Sequence, residues 1–139
     1  MPYKTLFFTQ AALLALIAVV HISALQWYLY WQYLWLDLPV HFLGGAWAAL
    51  VTAWILVRRG YPMHVSTIFS CVIALSVAWE LFEVAAGVPR EANFFFDTTL
   101  DLVMDVSGGI LGYLVAQQFT RADTLDSTRR DAPGSSESQ

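Results

Sequence analysis

The sequence predicts an all-α protein: a four-span transmembrane helical bundle with an interfacial aromatic segment between spans one and two. Three observations predict it. Four apolar stretches reach about twenty residues, the length that crosses about 30 Å of hydrocarbon. The 139-residue chain is 58% hydrophobic, with a mean hydropathy of +0.55, above what a soluble domain of this size carries. Its seven Lys and Arg residues fall almost entirely on one side of a four-span arrangement.

The spans lie near residues 6–25, 38–57, 65–86 and 98–119, inside a membrane domain of residues 1–119. The first follows Lys4 and has the small residues Ser23 and Ala24 near its end, as a cleaved secretory signal would. Its apolar run is long for a signal, and retaining it gives the more regular topology. The first span has no acidic residue and is free to pack at the edge of the other three. From Gln26 to Leu36 the chain is aromatic, with Trp27, Trp31 and Trp35 every fourth residue. One helical stripe of this kind anchors a loop at headgroup depth, or lines a groove for a lipid chain. Phe94, Phe95 and Phe96, before the fourth span, anchor the outer loop in the interface or gate access from the outer leaflet. Residues 120–139 are rich in Ser, Asp, Arg and Thr and read as a disordered cytoplasmic tail.

Lys4, Arg58, Arg59, Arg121, Arg129 and Arg130 share one side; only Arg90, beside Glu91, falls on the other. Cations in short loops stay cytoplasmic, which puts both termini on the cytoplasmic side of the membrane. Several function classes drop out. The dispersed cations and a formal net charge of −4 give no basic face, so no nucleic acid is expected as partner. The single cysteine, Cys71, forms no intrachain disulfide and reads as a packed thiol. There is no H-E-x-x-H, no Ser/His/Asp array and no Gly-rich phosphate loop.

The informative residues are ionisable groups inside the spans, each costing about 2.5–3.5 kcal/mol at a helix centre. Asp37 and His41 are four apart on the second span, and Glu80 and Glu83 three apart on the third, each pair on one helix face. Asp97, Asp101 and Asp105 share a broad face of the fourth. In the four-span topology all seven lie in the outer half of the membrane. Asp101 and Asp105 would sit about 6 and 12 Å below Asp97, and Glu80 about 9 Å below the end of its helix, so they can meet. Six carboxyls around one imidazole need protons, a metal or a cationic ligand. Asp37 and Asp97 also stand at helix starts, where a carboxylate caps free N–H groups, and Pro39 fits such a start. His21 and His64 have no carboxylate neighbours in sequence and read as packing or interfacial residues. Gly108 and Gly112 offer a G-x-x-x-G face, and Gly44, Gly45, Ala48 and Ala49 a comparable one, so these two spans are expected to pack together. The same glycine faces would also allow a homo-oligomer.

Asp37-x3-His41, Trp79-Glu80-x2-Glu83, and Asp97-Thr98-x2-Asp101-x3-Asp105 followed by Gly108-Gly109 resemble the VanZ-like superfamily of small bacterial membrane proteins, particularly its YjdF-type branch. The resemblance covers about residues 30 to 115. It implies a multi-span cell-envelope protein, in a superfamily whose name is attached to glycopeptide (teicoplanin) resistance.

Three functions stay open. One is a metal-dependent enzyme acting on a lipid-linked or phosphorylated envelope substrate. A divalent ion, Mg²⁺, Mn²⁺ or Ca²⁺, would be held by Asp101, Asp105 and Glu80, with Glu83, Asp97 and Asp37 in reach. His41 would be a ligand favouring Mn²⁺ or another transition metal, or a general acid or base. His41, Glu80, Asp101 and Asp105 are the candidate catalytic residues. The Asp-x3-Asp spacing resembles that of membrane transferases that hold phosphate through metal ions, without their full signature. The second function is a proton- or cation-binding or transport module. The third is a structural protein whose polar cluster only fixes helix packing, with membrane lipid as its partner.

Overall fold

The computed structural model describes residues 2–87 and 93–131. The chain is all-α, and the described residues form five helices: α1 (Pro2–Gln26), α2 (Leu29–Gln32), α3 (Asp37–Arg58), α4 (Val65–Ala86) and α5 (Phe94–Asp131), with a 3-10 turn at Leu34–Leu36 before α3. Four of them, α1, α3, α4 and α5 as far as Ala122, are long and apolar enough to cross a membrane, and the chain is a multi-pass membrane protein. Arg90 and Glu91 lie outside the described residues.

The breaks follow local chemistry. After α3, Gly60 takes φ +74 in the turn that precedes Pro62. Gly87 takes φ +68 and its N–H reaches back to the carbonyls of Glu83 and Val84, closing α4 with a left-handed cap. Asn93 starts α5: its side-chain oxygen accepts from the N–H of Phe96 at 3.3 Å. Asp97, expected as the cap, instead sits one turn in, where a carboxylate meets the positive end of the helix dipole.

α3 is the centre of the bundle: half of its most apolar window is buried, against 11% for α1 and 22% for α4. It packs chiefly on α5, and residues without side chains make that approach possible. A Cβ at Gly45 would collide with the carbonyl of Asp105, one at Gly108 with that of Phe42, and one at Gly112 with that of Ala46. The expected pairing of the two small faces is thus present, and it is made within one chain. α1 lies against α3 from outside and is tied to it where Trp47 Nε1 donates to Gln10 Oε1 at 3.0 Å. The apolar core, with Leu6, Ala49, Ala53, Ile68, Val72 and Ala116, fills the half of the bundle where α1 begins and α3 ends. The other half holds the buried ionisable residues.

Two expectations are corrected. The aromatic segment is not one helix. Tyr28 adopts a left-handed φ of 55, which separates the four-residue α2 from α1, and Tyr33, with φ −135 and ψ 81, separates α2 from the 3-10 turn, so Trp27, Trp31 and Trp35 do not form a continuous stripe, although all three are exposed. The region from Thr120 onward, expected to be disordered, is helical as far as Asp131. Extending an existing helix is far easier than nucleating one, and no Gly or Pro interrupts the sequence before Pro133.

Candidate functional site

Each spanning helix except α1 sends carboxylates into one place, and His41 is at its centre. The i, i+4 spacing from Asp37 puts both residues on the face of α3 that turns toward α4 and α5. Glu80 and Glu83 project from the last two turns of α4, and Asp101 and Asp105 from the first turns of α5. His41, Glu80, Glu83, Asp101 and Asp105 are all buried, none more than 7% exposed.

The two imidazole nitrogens have different surroundings. His41 Nδ1 lies 3.1 Å from Asp105 Oδ2, a buried hydrogen bond between α3 and α5. With Asp105 accepting as a carboxylate, Nδ1 carries the proton, and in the neutral imidazole Nε2 presents its lone pair. Nε2 faces Asp37 Oδ2 at 3.7 Å, Glu80 Oε1 at 3.9 Å and Asp101 Oδ1 at 4.0 Å. These distances exceed a hydrogen bond, and the buried Nε2 has no hydrogen-bond partner among the described residues.

Donor atoms of His41, Glu80 and Asp101 all lie within 4.8 Å of one another, as do those of Asp37, His41 and Glu83. Two ligand atoms about 2.1 Å from one tetrahedrally bound ion stand about 3.4 Å apart. The observed separations from Nε2 are a few tenths of an ångström wider, so a small movement of the carboxylates closes them on an ion. Asp105, expected as a ligand, is instead on the far nitrogen, where it fixes the tautomer and the ring plane, the usual partner of a metal-binding histidine. Asp97 stands outside both groups of donor atoms.

Several polar contacts around the site were not legible in the sequence. Thr98 donates its hydroxyl to Glu80 Oε2 at 2.9 Å, leaving Oε1 turned toward His41. Trp79 Nε1 donates to Glu83 Oε1 at 2.9 Å. His21, read from sequence as a packing or interfacial residue, has Nδ1 2.8 Å from the hydroxyl of the buried Tyr30 and packs edge-on against Trp79 with ring centroids 5.5 Å apart. Tyr30 lies outside the spanning helices. Burial, with Asp37 and Glu83 nearby, pushes its phenol above the ordinary tyrosine range, so it stays neutral beside His21. An aromatic-rich loop gives no sign in sequence of which tyrosine turns inward.

Chemically, a buried imidazole nitrogen facing three carboxylate oxygens can hold a divalent cation or a shared proton. Comparisons with protein-family models, with curated proteins and with solved structures found no match to this chain.

Proposed function

We propose that the cluster binds a divalent metal ion through His41 Nε2, Glu80 and Asp101, with Asp37 and Glu83 completing the site, and that the protein acts there on a lipid-linked or phosphorylated cell-envelope substrate. The observation that carries this reading is the buried Nε2, aimed at three carboxylate oxygens that all lie beyond hydrogen-bond distance, while Asp105 occupies the other nitrogen. One imidazole among carboxylates favours Mn²⁺ or another transition metal over Mg²⁺ and Ca²⁺, which prefer all-oxygen sites. When bound, such an ion polarises a phosphoryl or carbonyl oxygen and acidifies a bound water.

The uneven distribution of Lys4, Arg58, Arg59 and Arg121 supports a bacterial cytoplasmic membrane with both termini inside, which turns the cluster to the extracytoplasmic face. Kinship with the VanZ-like superfamily is part of the same proposal. Its three motif elements, at Asp37 to His41, Glu80 to Glu83 and Asp97 to Asp105, all belong to one end of the bundle. The excess of carboxylates over the single imidazole favours a second reading, a proton-binding module in which no metal is held.

The test is the metal content of the detergent-purified protein beside its Asp101→Asn and His41→Ala variants, each checked for folding. Stoichiometric metal in the wild type that is lost in both variants is the expected result. A folded wild type that takes up no metal after loading overturns the metal reading in favour of protons.

A further inference from the structure

A cavity of about 190 Å³ adjoins the cluster. Its walls are Leu14 and Ile17 of α1, Trp47 and Ala48 of α3, and Leu75 and Ser76 of α4, and at one end it reaches His41 and Asp105. The six wall residues lie near the middle of their own helices, so this part of the cavity is at the mid-depth of the bundle. His41, four residues into α3, is about 10 Å along the axis from Ala48. The cavity therefore runs from the apolar centre of the membrane to the polar donors.

Its mouth is identifiable. α3 forms the back wall, and α1 and α4 form the two sides. α1 packs on α3 and α5 and has little contact with α4. The rings of His21 and Trp79 join α1 to α4 near the polar end; at mid-depth the gap is flanked by Leu14 and Leu75, 43% and 44% exposed. An opening there faces hydrocarbon. The single wall hydroxyl, that of Ser76, is already bonded to the Val72 carbonyl at 3.0 Å, so the middle of the cavity asks for no polar partner. Water has no reason to fill it, and an apolar space of this size takes up apolar ligands.

The geometry points to a lateral seat for one hydrocarbon chain of a membrane amphiphile ending in a phosphate, its chain between α1 and α4 and its head at the His41 cluster. The chain part follows from depth, lining and mouth. The phosphate part rests on the metal reading of the cluster, because an anionic head is compatible with these carboxylates only through a bridging cation. That charge balance excludes a bare anion.

The test uses the full chain in nanodiscs of phosphatidylethanolamine and phosphatidylglycerol, with a phosphatidic acid carrying a diazirine at mid-chain. After illumination, adducts are mapped by mass spectrometry. Adducts between Gly44 and Ala48, on the wall turned away from bulk lipid, are expected in addition to those on outward residues such as Val19 and Leu81. Ile17→Trp and Leu75→Trp fill the seat from opposite sides, so one can fail to fold without ending the test. Either folded variant is expected to lose the α3 adducts, keep the outward ones and retain its metal. Labelling confined to outward residues in the wild type overturns the seat, and metal measured on the same sample shows whether the cluster reading survives. Adducts on α3 that persist in both filled variants also overturn it. Seat labelling in a wild type without metal supports the chain and overturns the phosphate head.

Discussion

Asp105 and His41, 64 residues apart in sequence, meet at 3.1 Å in the interior of the bundle. One carboxylate oxygen fixes one imidazole nitrogen, and the other nitrogen is thereby directed at Asp37, Glu80 and Asp101. The orientation of the candidate ligand is set by a residue that does not itself face the donor set.

Asp105→Asn keeps an acceptor for Nδ1 but removes the charge that strengthens His41 as a ligand. Metal affinity is expected to fall by about 10- to 100-fold, the range for loss of such an outer partner, with folding retained. Isothermal titration with Mn²⁺ measures it. Unchanged affinity argues against an orienting role.

Thr98→Val removes the donor to Glu80 Oε2 while conserving shape, and Thr98→Ser restores the hydroxyl. Metal occupancy is expected to drop in the first and return in the second. If the two variants bind alike, the hydroxyl does not position Glu80.

The glycines separate cleanly by position. An added methyl at Gly45 or Gly108 meets backbone, which neither helix can move cheaply, whereas at Gly44 the nearest atom is Asp105 Oδ1 at an ordinary 3.6 Å. Gly45→Ala and Gly108→Ala are expected to cost at least the 1–3 kcal/mol or so typical of overpacking, and Gly44→Ala much less. Thermal unfolding in one detergent ranks all three; a Gly44 variant as unstable as the others contradicts the packing described.

Alkaline stability reports on Tyr30. Its phenol is harder to ionise in the folded protein than in the unfolded chain, so above the unfolded pKa near 10 the unfolded state binds fewer protons than the folded state. Stability therefore declines as pH rises past that point. Tyr30→Phe is expected to flatten this decline relative to wild type while leaving the curve near pH 7 parallel. Identical alkaline slopes in the two proteins count against the buried phenol.

Much of this arrangement was legible in sequence because it depends on spacing within single helices. Twenty-residue apolar runs, the i, i+4 step from Asp37 to His41, and small residues at positions 44, 45, 108 and 112 each carry a local signal. What was not legible depends on contacts between elements. Thr98 reaches Glu80 from another helix, Tyr30 reaches His21 around a left-handed residue, and Asp105 chooses one nitrogen of an imidazole on α3. No periodicity encodes those choices. The helical continuation beyond Thr120 was missed for a different reason: polar composition was read as disorder, although a helix already in progress needs little to continue.

The backbone contact between α3 and α5 also determines how the protein answers to its bilayer. Hydrophobic mismatch acts on helix tilt, at a modest cost per ångström, and the helices with the least of their surface committed to the bundle yield first. Here those are α1 and α4. Lipid thickness would then widen or narrow the gap between Leu14 and Leu75 while His41 and Asp105, carried on two glycine-locked backbones, keep their spacing. Ligand entry and donor geometry are thereby mechanically decoupled, and membranes of different thickness would alter the first without detuning the second.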